Sequence, residues 1–96
     1  MYVLIFLSLF LILCWVISIK DQQAIKLFGE SVRTKRLQRH WSQEELAFKC
    51  KIDSRQIGRV ERGEVNTTVS SVFAISRALE VEVADLFDFP LPQLSE

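Results

Sequence analysis

The sequence predicts an all-α fold: a compact five-helix domain preceded by a hydrophobic N-terminal helix. Three observations predict it. From residue 24 onward apolar side chains recur three or four apart, the period of a helix packed on one face. Capping and turn residues punctuate that pattern at Ser42, Asp53 and Gly63. No stretch alternates with period two for long enough to make a strand. A length of 96 residues allows one small domain.

Residues 1–19, MYVLIFLSLFLILCWVISI, carry no charged side chain. As a helix they would reach about 28 Å, close to the roughly 30 Å hydrocarbon core of a bilayer. Lys20, Lys26, Arg33, Lys35 and Arg36 follow on the C-terminal side, so the positive-inside bias places the rest of the chain in the cytoplasm. The expectation is a transmembrane anchor in the inner membrane with its N-terminus outside. Two other readings stand beside it: upstream sequence from a misassigned start, and an N-terminal helix buried in an oligomer. A cleavable signal fits less well, because a basic leading segment and a small-x-small cleavage site are both missing.

The first helix of the domain carries Ile25, Phe28, Val32 and the alkyl stem of Arg36 on one face and ends near Arg39-His40. His40 falls where the chain reverses, a place that favours Gly or Asn in the left-handed region. Ser42, with Glu45 three residues on, forms a capping box for the second helix, and Trp41 before it is set to staple onto Leu46 or a neighbour. Lys51-Ile52-Asp53 interrupts that helix after two turns. Asp53 or Ser54 caps a third helix, Ser54 to about Arg62, with Ile57 and Val60 inward and Gly63 as its stop. After a loop over 64–67, Thr68 to Leu79 makes a fourth helix with Val69, Val72, Phe73, Ile75, Ala78 and Leu79 inward. A short helix over Val83–Phe87 precedes Phe89-Pro90-Leu91-Pro92, where two prolines end regular structure. The domain therefore runs over 20–88, and 89–96 form a short C-terminal tail.

Twelve basic and twelve acidic side chains cancel to zero net charge, but they are segregated. Residues 20–62 hold eleven basic side chains against six acidic, a net +5; residues 63–96 hold one against six, a net −5. A neutral chain with one basic half can present a polyanion-binding face, although a solvated helical surface gives the same arithmetic. A single histidine, His40, and two cysteines, Cys14 and Cys50, leave little for a metal site, a catalytic triad or a disulfide framework. Cys50 reads as core packing, as does the set Phe28, Phe73 and Phe87.

Two short helices joined by a tight turn, the second bearing polar and basic side chains, make a helix-turn-helix arrangement. A helix about 10–12 Å across fits the roughly 12 Å major groove of B-DNA when its leading turns carry hydrogen-bonding groups. Ser54, Arg55, Gln56 and Arg59 cover the N-terminal and outward arc of the third helix, opposite Ile57 and Val60. Arginine can grip the O6/N7 edge of guanine, and glutamine the N6/N7 edge of adenine.

The motifs are Phe28-Gly29-Glu30-Ser31-Val32-Arg33, Trp41-Ser42-Gln43-Glu44-Glu45-Leu46-Ala47, Ile57-Gly58-Arg59-Val60-Glu61-Arg62-Gly63 and Leu79-Glu80-Val81. From Phe28 to Phe87 the chain resembles the Cro and phage-repressor type of helix-turn-helix, the λ repressor-like fold of the XRE family. The resemblance implies that Gln43 contacts phosphate and steadies the recognition helix, and that Ser54, Arg55 and Arg59 reach base edges. It puts Gln56 nearer the backbone, and Asn66, Thr67 and Thr68 where loop and helix terminus meet phosphate. Arg36 and Glu61 match a buried ion pair, and Arg39 either touches phosphate or solvates the first helix. His40, Lys51 and Glu80 stand where the family often has glycine, and Lys35 where it is usually apolar, with Leu37 as a substitute contact.

The function so implied is sequence-specific binding of double-stranded DNA by a transcriptional regulator, with no cofactor, metal or catalytic group. One recognition helix spans too few base pairs, so a homodimer on a near-palindromic site is expected. Its candidate contact is the C-terminal segment with Val81, Val83, Leu86, Phe87, Phe89 and Leu91. The rival is an antitoxin-like or membrane-anchored protein-interaction module without DNA readout.

Overall fold

The computed structural model describes residues 21–92, with Ser8 alone before them. The membrane helix expected over 1–19 and the last four residues of the tail therefore lie outside the described residues. Among the described residues no helix is long and apolar enough to cross a membrane.

The described residues form five helices in order: α1 (Gln22–Gln38), α2 (Gln43–Cys50), α3 (Ser54–Glu61), α4 (Val69–Leu79) and α5 (Val83–Leu86). Asp21 caps α1, its carboxylate accepting from Ala24 N at 3.0 Å, so the helix starts two residues before the apolar periodicity does. Ser42 Oγ accepts from Glu45 N at 3.1 Å and opens α2. Asp53 caps α3 and Thr68 caps α4 in the same way. A side chain competing for orphan N–H groups at each start is what divides one apolar pattern into separate helices. Asp85 Oδ2 accepts from Glu82 N at 3.1 Å and opens the last helix, which stops one residue short of the expected Phe87.

The helix ends are equally regular. Past α1, α2 and α4, a residue with φ between 56° and 59° (His40, Lys51, Glu80) turns the chain. The next residue donates back to the helix: Trp41 N to Arg36 O, Ile52 N to Ala47 O, and Val81 N to Ser76 O. Gly63, with φ 71°, does the same after α3, with Glu64 N donating to Arg59 O at 2.9 Å. Left-handed backbone costs a non-glycine residue about 1–2 kcal/mol. Trp41, Ile52 and Val81 are all packed against the core, which offsets that strain, whereas Glu64 is exposed and the turn before it uses glycine. Lys51→Gly is therefore expected to raise stability by about 0.5–1 kcal/mol, the relief of strain less the greater freedom glycine gives the unfolded chain. Urea denaturation reads the gain, and a lower midpoint would show that Lys51 is held by contacts worth more than its strain.

Val32, Leu46, Ile57, Val60, Ile75, Leu79 and Leu86 are fully buried and, with Phe28, Ala47, Cys50 and Val72, form one core. α3 sits between α1 and α2, and α4 closes the other side with α5 against its end. The crossing of α1 over α3 is close: a Cβ at Gly29 would overlap the Val60 carbonyl oxygen and stand 2.8 Å from that of Glu61. Helix propensity alone would make Gly29→Ala stabilising by about 1 kcal/mol. The overlap reverses the sign, and a loss of about 1–3 kcal/mol is expected from the same denaturation curve.

Four expectations are corrected. Val69 and Phe73, read as inward, are 72% and 45% exposed, because α4 is covered only along Val72, Ile75, Ser76 and Leu79. Phe87 is also partly exposed, although its ring stacks on Phe28 at 5.0 Å between centroids. Leu37 points out and supplies no substitute contact for Lys35. Leu86 is spent inside the core, and Val81, Val83 and Phe89 are partly buried against it, so of the C-terminal candidates for a dimer contact only Phe87 and Leu91 remain exposed.

Candidate nucleic-acid interface

α3 owes its position to its own two faces. Ile57, Gly58, Val60 and Glu61 are buried, while Arg55, Arg59 and Arg62 stand exposed and Ser54 and Gln56 lie at the margin. The turn Lys51–Asp53 sets α3 against α2, and Asp53 Oδ1 accepts from Arg55 N at 2.8 Å. The leading ends of α2 and α3 border a cleft lined by Arg36, Ser42, Gln43, Glu44, Ser54 and Arg55. Ser54 and Arg55 thus open onto the same space as Gln43, with Arg59 one turn further along α3.

Beneath this surface Arg36 and Glu61 meet. Arg36 Nε donates to Glu61 Oε2 at 2.7 Å and Nη2 to Oε1 at 2.9 Å, with side chains 9% and 2% exposed. Arg36 Nη1 donates to the Trp41 carbonyl at 2.7 Å, and Gln43 Nε2 donates to Glu61 Oε1 at 3.2 Å. One guanidinium therefore ties α1 to the end of α3 and to the entry of α2. The hydrogen bonds it donates to Glu61, against the opposing effect of burial, hold the Arg36 guanidinium above its ordinary pKa. At Gly58, a Cβ would stand 3.3 Å from Gln43 Oε1, so the glycine lets α2 approach α3 this closely.

The remaining sequence-derived residues fall in two places. Thr68 Oγ1 accepts from Ser71 N at the start of α4, beside exposed Asn66 and half-buried Thr67. Asn66 and Thr67 also border an apolar groove walled by Ile25, Phe28, Val65, Val72 and Phe87. Arg39 lies at the end of α1, 3.6 Å from Glu80 and 5.4 Å above the Trp41 ring, with Lys49 on that ring at 4.8 Å. Cys50 is buried, and burial pushes its thiol up to about 11, so at neutral pH it is a protonated core side chain. Sequence reasoning missed the Gln43–Glu61 hydrogen bond, the Arg36 hydrogen bond to the Trp41 carbonyl, and the pairing of Arg62 with Glu64 (Nε to Oε1 3.1 Å). Only the last had a signal: Arg62-Gly63-Glu64 sets opposite charges on either side of the glycine that turns the chain.

A tight turn between two short helices, with an exposed arginine-bearing face on the second, is the arrangement of a sequence-specific DNA-binding regulator of transcription. The chain belongs to the helix-turn-helix family of the Cro and phage-repressor type, whose model, described as Helix-turn-helix, matches residues 32–86. It is 44% identical over 64 residues to the control protein C.BamHI of Bacillus amyloliquefaciens, covering 66% of this chain and 79% of that one. It is 31% identical over 78 residues to a hypothetical transcription factor of Neisseria meningitidis serogroup B, covering 80% and 74%. Among solved structures, the restriction-modification controller protein C.AhdI of Aeromonas hydrophila superposes with a TM-score of 0.65 at 35% identity, covering 66% of this chain and 96% of that one.

Proposed function

We propose that this protein is a controller of restriction–modification genes that reads a near-palindromic operator as a homodimer, one α3 in each of two successive major grooves. The observation that carries the reading is the exposure of Arg55 and Arg59 on the face of α3 opposite Ile57 and Val60. A control protein at 44% identity and a restriction-modification controller protein at 35% identity support the choice of target genes. Ser54, Arg55 and Arg59 read base edges, with Gln56 at the margin of the groove. Gln43 and the α4 terminus at Asn66, Thr67 and Thr68 meet phosphate, where free backbone N–H groups favour an anion. Arg39 joins that set by exchanging Glu80 for a phosphate. Among the described residues, the large exposed apolar side chains available to a dimer contact beyond α3 are Val69, Phe73, Phe87 and Leu91. The DNA-binding domain works in the cytoplasm, where its operator lies.

Selection from a randomised duplex pool tests this. The expected product is a pair of inverted half-sites centred about 10–10.5 base pairs apart, the spacing of one helical turn. Affinity for the selected duplex should then fall linearly in log K against log salt, by about 0.9 per phosphate neutralised. A pool that enriches no motif, or a flat salt plot, would contradict the reading.

A further inference from the structure

The outward face of α3 and its C-cap carry three arginines, Arg55, Arg59 and Arg62, spaced four and three residues apart along one stripe. Arg55 and Arg59 form no ion pair among the described residues, whereas Arg62 is gripped at two points: Nε to Glu64 Oε1 at 3.1 Å and Nη2 to Oε2 at 3.2 Å. The grip is built into the end of the helix. Gly63 turns at φ 71° and Glu64 N bonds Arg59 O, which brings the Glu64 carboxylate back beside α3. Arg62 also folds toward α2, since a Cβ at Gly58 would stand 2.9 Å from its Nη1 and 3.3 Å from Gln43 Oε1. The third arginine therefore lies beside the glutamine assigned to phosphate, with its fork already filled by a carboxylate.

As a contribution to stability this pair is slight, because both side chains are more than half exposed and an exposed ion pair is largely offset by screening and side-chain entropy. Its effect on a polyanion is larger. If Arg62 moved to a phosphate it would exchange one two-point partner for another and leave Glu64 unpaired within a Debye length of the backbone. We propose that Glu64 is a specificity-determining residue: it holds Arg62 off the DNA phosphates and so suppresses sequence-independent binding, leaving Arg55 and Arg59 to favour the operator. This rests on the assignment of α3 to the DNA groove.

The test is anisotropy titration of the full-length chain on a labelled random-sequence duplex between 50 and 200 mM salt. Glu64→Gln keeps the shape and removes the charge. It is expected to tighten binding to the random duplex and to steepen the salt slope by about 0.9 per bound protomer, one more phosphate neutralised by Arg62. Arg62→Ala in the parent chain is expected to leave the slope unchanged, and in the Glu64→Gln chain to remove the added slope. A merely structural pair would shift the melting temperature and leave both slopes alone, and that result overturns the proposal. So does a fall of about 0.9 in slope for Arg62→Ala alone, which would place Arg62 on phosphate despite Glu64. If the parent chain binds no duplex, it is the assignment of α3 that fails; if it binds and Glu64→Gln leaves the slope fixed, only the role of Glu64 fails.

Discussion

Replacing Glu61 with alanine is expected to cost about 3–5 kcal/mol of folding stability, the penalty for stranding one member of a buried ion pair. The carboxylate accepts twice from Arg36 and once from Gln43. Without it the guanidinium, 9% exposed, keeps only the Trp41 carbonyl. It cannot escape by losing its proton, since an arginine stays charged at any pH the fold survives. At roughly 0.05–0.15 kcal/mol per residue a domain of this size holds only about 4–10 kcal/mol in all, so the loss takes roughly a third of that stability or more. Arg36→Ala should cost less than Glu61→Ala, because a lone carboxylate can be neutralised by a proton and a lone guanidinium cannot. Urea titration followed by helical circular dichroism separates the two. The double replacement Arg36→Met with Glu61→Leu should recover most of the loss, as apolar substitutes for buried ion pairs often do. If Glu61→Ala moved the urea midpoint no more than a surface substitution does, the pair would have to be well hydrated in solution.

Much of this architecture was legible in the sequence because it is written in local chemistry. Ser42 with its acceptor geometry, Asp53 before a polar-apolar helix, and Gly63 after one each act within three or four residues, and the helix limits they imply are those found. Ile57 and Val60 inward with Arg55 and Arg59 outward follows from helical period alone. The errors lie where burial depends on what another helix covers. Val69 and Phe73 have the spacing of a buried stripe, but nothing among the described residues packs over that edge of α4. Leu86 looked available for a partner and is instead the side chain that seals the core beside Leu79. Positive φ at His40, Lys51 and Glu80 shows the limit of composition as a guide: a left-handed turn normally calls for glycine, and here an apolar residue just beyond each turn carries the cost.

Alanine at both Arg55 and Arg59 is expected to reduce affinity for the selected operator by about 2–6 kcal/mol, the sum of two base-edge contacts at roughly 1–3 kcal/mol each. Neither side chain touches the core, and neither forms an ion pair among the described residues, so the helical spectrum and urea midpoint should be unchanged. That separation distinguishes this variant from Glu61→Ala, which weakens binding by destabilising the fold. The loss should also depend on sequence. Binding to a random duplex falls only by the small share these charges contribute to phosphate attraction, whereas discrimination between operator and random duplex collapses. Lysine at the same two positions supplies the control: it restores charge without the planar fork that addresses guanine at two points. A lysine pair should recover random-duplex binding and little of the specificity. If the lysine variant matched the parent on the operator, α3 would be contributing charge alone, and the reading of base edges would have to come from another element.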